Sequence, residues 1–269
     1  MTSELSEDRQ QYLSNKKREK LLILFCQIFS LLFLIIIWEV LANIGVIDSF
    51  ITSQPSRIWE TLLNASSNNL FYHLGVTCLE TIIGFLLGTT IGTIIACILW
   101  WSDFVCKVAD PYLVILNSLP KVALGPVIIV WVGAGAPAII TMALAISLVV
   151  TVLEMLNGFK NTDANIIKMA KTFNASKWQI FFKIVLPSNI STLINALKVN
   201  IGLSLVGVIS GEFLVSKAGL GYLIVYGGQV FKLDLVMTSV LVLGVVAALM
   251  YQSVLLLETL ILRFIMHKN

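Results

Sequence analysis

Long apolar runs alternate with short polar segments along the chain, and the length of each run decides how it is read. A helix needs about 20 apolar residues, at about 1.5 Å rise each, to cross the hydrocarbon of a bilayer. Leu21 to Leu41 meets that length with only Gln27 and Glu39 strongly polar, and further runs cover Leu74 to Trp100, Tyr112 to Val132, Pro137 to Asn157, Ile190 to Val215 and Leu235 to Leu262. Six transmembrane helices are therefore predicted. Pro120, Gly125 and Pro126 lie inside the third run, which should kink or begin irregularly where protein can satisfy the freed backbone. The basic residues before the first run suggest a leader, but the run exceeds a signal h-region and no A-x-A-like site follows, so an uncleaved span is expected.

Two stretches between the runs are too short to cross. "ITSQPSRIWETLLN" reads as an interfacial helix entered near Pro55, with Ile58, Trp59, Leu62 and Leu63 on one face. "SKAGLGYLIVYGGQVFKLD" is glycine-rich and reads as a partial helix folding back at the outer face. Residues 1–20 form an N-terminal segment, residues 21–269 a single transmembrane domain, and about 158–187 a long loop within it. Lys and Arg fix the orientation. With the N-terminus inside, thirteen fall in inner segments and three (Arg57, Lys217, Lys232) in outer ones, so both termini and the long loop face the cytoplasm. Cys106 then lies on the inner side, and the two histidines, His73 and His267, on opposite sides.

Composition agrees: the chain is 58% hydrophobic and 12% charged, against roughly 25% charged in a soluble domain. The net charge of +3 is too small, and the lysines too scattered, to argue for nucleic acid. The four cysteines (Cys26, Cys78, Cys97, Cys106) have no disulfide or metal-site spacing. No histidine lies within a span to serve a nucleophile such as Ser210, and no ligand cluster calls for a metal or cofactor.

The long loop is unusual. "KMAKTFNASKWQIFFKIVLP" carries four lysines and three large aromatics between two hydrophobic spans. Asp163 can cap a short helix that buries Ile166, Met169, Ala170 and Phe173. Asn174 can take the left-handed conformation that ends it. Ser176 and Gln179 form a capping box that restarts a helix at once, placing Trp178, Phe181, Phe182 and Val185 at helical spacing before Pro187. The aromatics need a cover, either the membrane interface and the chain's own helix ends or a separate protein.

"AKTFNASKWQIFFKIVLP" resembles the cytoplasmic signature loop of binding-protein-dependent ABC importer permeases, E-A-A-x-x-x-G followed by I-x-L-P. Ala170, Ile184 and Leu186-Pro187 match, whereas Lys168 and Met169 replace the Glu and first Ala, and Asn174 the Gly. "LNSLPKVALGPVIIVWVGAG" and "SGEFLVSKAGLGYLI" look like the sulfonate, nitrate and taurine branch of these permeases. The similarity runs from about Pro55 to the C-terminus. It implies an all-α polytopic membrane protein of about six spans with the type I ABC importer permease fold. It also implies a homodimer of two permease copies in the lipid bilayer, two cytoplasmic ATP-binding subunits and an external solute-binding protein. Ala170, Phe173, Asn174, Trp178 and Phe181 would form the coupling contact with the ATPase. The chain has no G-x-x-x-x-G-K-[ST], so ATP hydrolysis would belong to those partners. A small organic anion is the favoured solute, with a pyrimidine or vitamin precursor second. A secondary transporter or a membrane enzyme are the remaining alternatives.

Ionisable residues inside spans are functional candidates by default. Lys121 and Lys198 fall in the inner half of the bilayer, and Glu80 and Glu212 in the outer half. All four are candidates for the translocation pathway, and each also has a structural reading. Glu154, near the inner end of the fourth span, can pair with one lysine, which leaves the other to snorkel or to line a path that favours an anion. Glu39 and Glu258 lie near span ends and should snorkel or pair.

Overall fold

The computed structural model describes residues 7–66 and 68–266, and every regular element among them is helical. His267 and Lys268 lie outside the described residues. The chain divides into two units, Met1–Leu63 and Asn64–Asn269.

In the first unit, α1 (Glu7–Asn43) is one continuous helix through the first apolar run, followed by Gly45 at φ 75°. Asp48 caps the single turn α2 (Ser49–Thr52) by accepting from Phe50 N at 2.8 Å. Pro55 then opens α3 (Pro55–Leu63), where a proline costs no helical hydrogen bond. Glu39 does not snorkel. Its carboxylate accepts from Ser56 N at 3.1 Å and Ser56 Oγ at 2.9 Å. On α3 only Ile58 is buried; Trp59 and Leu63 are exposed.

The second unit contains α4 (Leu70–Trp101), α5 (Asp103–Ser118), a 3-10 turn (Lys121–Leu124), α6 (Gly125–Val132) and α7 (Ala136–Lys160). The loop helices α8 (Ala164–Thr172), α9 (Lys177–Ile180) and α10 (Leu186–Ser188) follow, with a π-helical turn (Phe181–Val185) between α9 and α10. The chain then forms α11 (Ile190–Val215), α12 (Leu220–Gln229) and α13 (Leu233–Met266). Five helices are long and apolar enough to cross a membrane, and six spans result if the bent pair is counted as one. That pair is the expected kink. α5 and the Lys121–Val132 arm meet at 87°, with Pro120 in the break and Gly125-Pro126 opening α6. The bent pair begins at Asp103 rather than Tyr112, because Ser102 caps a first stretch whose Asp103, Lys107 and Asp110 keep hydropathy alone from marking it.

The core of this unit is α4, α7 and α11. Lipid gives apolar helices no reason to prefer one another, so close approach must supply the packing energy. Gly84, Gly88 and Gly92 supply it. These three lie one turn apart on α4, against Ala143, Ser147 and Thr151 of α7. On α11, Gly207 and Gly211 meet the α7 backbone at Ala143 and Ile139. Asn200 Nδ2 donates to Thr89 Oγ1 at 3.0 Å and to Thr151 Oγ1, so one buried amide ties all three helices. As expected, α12 is too short to cross; it packs against α11 and α13.

Candidate functional site

The long loop is a helical hairpin capped and fastened by its own polar residues. Asp163 Oδ1 accepts from Asn165 N at 2.8 Å and starts α8. Asn174, at φ 58°, turns the chain while Asn174 N and Ala175 N return to Lys171 O and Ala170 O. Ser176 and Gln179 make the reciprocal capping box, with Gln179 Oε1 accepting from Ser176 N at 2.8 Å. Asn189 fastens the base, donating to Thr162 Oγ1 and Val185 O, each at 2.8 Å. One side of the hairpin (Ala170, Ile180, Phe181, Val185) joins Leu99, Cys106, Met155 and Phe159 in a single core.

The five coupling candidates do not share one surface. Ala170 and Phe181 are buried. Phe181 sits between Trp100 at 4.9 Å, Trp101 at 5.8 Å and Phe159 at 5.6 Å, between ring centroids. Trp178 lies 4.5 Å from Trp101 and stacks on Phe182 at 5.3 Å. Lys177 Nζ donates to Trp101 O at 2.5 Å, which clamps the second helix to the end of α4. Phe173, by contrast, is 79% exposed. Met169 and Ile166 stand exposed at the preceding helical positions, so α8 presents an apolar row outward. The expectation that α8 buries all four of its apolar residues therefore holds for Ala170 alone. Cys106, the expected reporter of sidedness, is buried in the same core and is poorly placed to meet a thiol reagent.

The two carboxylates of the other end, Glu80 and Glu212, come together, and their neighbours explain why. A helix N-terminus leaves four N–H groups without helical partners. At α12, side chains from α4 and α11 supply partners. Gly219 N donates to His73 Nδ1 at 3.0 Å and Leu220 N to Thr77 Oγ1 at 2.8 Å. Glu212 accepts from Gly221 N at 2.6 Å, from Tyr222 N, and from Thr77 Oγ1 at 2.7 Å. A carboxylate here also suits the positive end of the helix dipole. The Glu80 carboxyl lies against that of Glu212, and both side chains are buried. This socket escaped the sequence reading, although Glu212 and the G-L-G of Gly219–Gly221 stand within ten residues of each other.

Lys121 and Lys198 lie apart from that pair and from each other's partners. Lys198 Nζ pairs with Glu258 Oε2 at 2.7 Å, joining α11 to α13, and not with Glu154. Glu154 instead lines a polar cavity of about 620 Å³ with Asn157, Asn161, Asn189 and Asn195. Lys121 Nζ donates to Asn117 O at 2.9 Å at the bend, and no carboxylate pairs with it among the described residues. No group of three or more metal-ligating side chains occurs among the described residues.

Comparisons with known proteins bear on the family and the fold. The chain is 30% identical to a probable ABC transporter permease protein of Haemophilus influenzae, over 82% of this chain and 90% of that one. It is 26% identical to a putative aliphatic sulfonates transport permease protein of Bacillus subtilis, over 86% and 84% respectively. The fold matches a chain in the crystal structure of a bacterial ABC transporter involved in the import of the acidic polysaccharide alginate, with a TM-score of 0.63 at 14% identity, covering 93% of this chain and 98% of that one. Residues 88–267 match the family of binding-protein-dependent transport system inner membrane components. That range holds α7, the capped hairpin, α11 and Glu212 of the α12 socket, and the chain belongs to this family.

Proposed function

We propose that the chain is the channel-forming subunit of an importer driven by two cytoplasmic ATP-binding subunits. It works as a homodimer and receives a small solute from an external binding protein. The observation that carries this reading is the exposed row Ile166, Met169, Phe173 on a hairpin that is otherwise anchored in the protein. An anchored hairpin with an apolar tip is what a separate motor needs to grip, and the chain has no phosphate-binding loop of its own. The loop faces the cytoplasm by its lysines, as do both termini. Chemistry in this subunit is then confined to opening and closing a path. The direct experiment is isolation of the chain from its native membrane. The expected partner is an ATP-hydrolysing subunit carrying G-x-x-x-x-G-K-[ST], in equal number. Its consistent absence would overturn this reading of the hairpin as a motor's docking site.

A small anion, such as a sulfonate, is the favoured solute. Lys121 is a cation at the bend of a membrane-span helix pair with no carboxylate partner among the described residues, whereas Lys198 is paired with Glu258. The B. subtilis relative is named for aliphatic sulfonates. The two lysines should therefore answer differently. Lys198→Met strands a partly buried Glu258 and lowers protein level, and adding Glu258→Met restores it, since breaking one partner costs more than replacing both. Lys121→Met keeps its protein level and loses anion uptake. Normal uptake in Lys121→Met removes the charge argument for an anion.

A further inference from the structure

The coupling hairpin leaves a second apolar surface, separate from the α8 row. A groove of about 650 Å³ runs between the end of α4 and the α9 turn, lined by Thr93, Cys97, Ile98, Trp101, Trp178 and Phe182. Trp178 and Phe182 are 61% and 51% exposed although their rings are stacked. One wall of the groove identifies its occupant. Thr93 to Trp101 spans about 12 Å along α4 at about 1.5 Å per residue, and α4 is a membrane-crossing helix whose interfacial end is marked by Trp100 and Trp101. The groove therefore starts at the interface and continues to hydrocarbon depth, where a soluble subunit cannot follow.

Charge gives the rest. Residues 164–211 contain no Asp or Glu, while Lys168, Lys171, Lys177 and Lys183 crowd the hairpin. Lys177 precedes Trp178 and Lys183 follows Phe182, so a lysine adjoins each exposed ring of the groove in sequence. Lys177 uses one proton on Trp101 O and keeps two for another acceptor. Asp103, at the start of α5, is a carboxylate beside Lys177, where both line a neighbouring cavity. We propose that this groove is a site for an anionic phospholipid, with an acyl chain along α4 under Trp178 and Phe182 and the phosphate held by Lys177 and Lys183. The lipid would belong to the cytoplasmic leaflet, and that assignment, like the partner of α8, rests on the reading proposed above. The lipid would seat the second helix of the hairpin on the bilayer surface and leave α8 free for its partner.

The test uses the full chain, with the subunits that accompany it, in phosphatidylcholine vesicles. A minor fraction of the lipid is brominated, either as phosphatidylglycerol or as phosphatidylcholine. Bromine quenches tryptophan at contact, and the part of the signal due to Trp178 is the difference from Trp178→Phe. Brominated phosphatidylglycerol should quench that part with a roughly thirtyfold preference over brominated phosphatidylcholine, the scale expected of two lysines at an anionic headgroup. Lys177→Gln with Lys183→Gln should erase the preference, and Lys183→Gln alone, which leaves the Lys177–Trp101 contact in place, should reduce it. As a measurement on the unaltered chain, phosphatidylglycerol should remain bound in native mass spectrometry and be lost in the double variant. Equal quenching by the two lipids overturns the proposal in favour of ordinary annular lipid. No quenching by either overturns it in favour of a protein cover over Trp178.

Discussion

Phe173→Asp should abolish ATP-driven uptake while the protein remains at normal level, and Phe181→Ala should do the reverse. Phe173 is 79% exposed at the tip of α8, so a charge there costs the fold little. It removes an aromatic anchor from the proposed partner contact, and such anchors are worth at least about 2 kcal/mol, close to thirtyfold in affinity. Phe181 is buried among Trp100, Trp101 and Phe159. Truncating a phenylalanine in such a place costs about 3–5 kcal/mol, so Phe181→Ala should lose folded protein before transport is at issue. Quantitative blotting of membranes beside uptake separates the two. Equal loss of protein in both variants would mean that α8 is part of the fold and not a docking tip.

The second large effect is expected at the α12 socket. Gly219 has φ 107°, a conformation that costs a side-chain-bearing residue about 1–3 kcal/mol. A Cβ there would run into the Glu212 carboxyl, so Gly219→Ala must also displace the group that caps α12. Each buried N–H left without a partner adds about 1–3 kcal/mol. Gly219→Ala should therefore lower the thermal midpoint of the detergent-solubilised protein sharply. Gly202→Ala is the control: it meets open space and should raise stability by about 0.5–1 kcal/mol, as alanine does in a helix interior. A midpoint for Gly219→Ala within error of the unaltered chain would show that Glu212 does not hold this helix.

What could be read from the sequence was what is local. Six apolar runs, the break at Pro120, the Asp163 cap, the Asn174 turn and the Ser176–Gln179 box are each set by residues within one or two turns, and each is in the structure. The partners of the loop aromatics are not local. Trp178 and Phe181 look alike as an i, i+3 pair, yet one is exposed and the other buried, because Trp100 and Trp101 arrive from a helix that ends some seventy-five residues earlier. Intramembrane charges failed in the same way. Glu154 and Glu258 are both carboxylates near a span end, and only the packing of α11 on α13 selects Glu258 for Lys198. The three-helix core was legible but unread: Gly84, Gly88 and Gly92 at four-residue spacing already mark a face made for close helix contact.

The central claim, that α8 is the surface through which a separate motor drives this subunit, is tested most directly by cysteine cross-linking. Phe173→Cys and Trp178→Cys, each in a chain whose native cysteines are replaced by serine or alanine, would be cross-linked in membranes containing the assembled importer. The expected result is an adduct from position 173 to a polypeptide that carries an ATP-binding phosphate loop, and none from position 178. No adduct from position 173, or one from position 178 alone, would contradict the account.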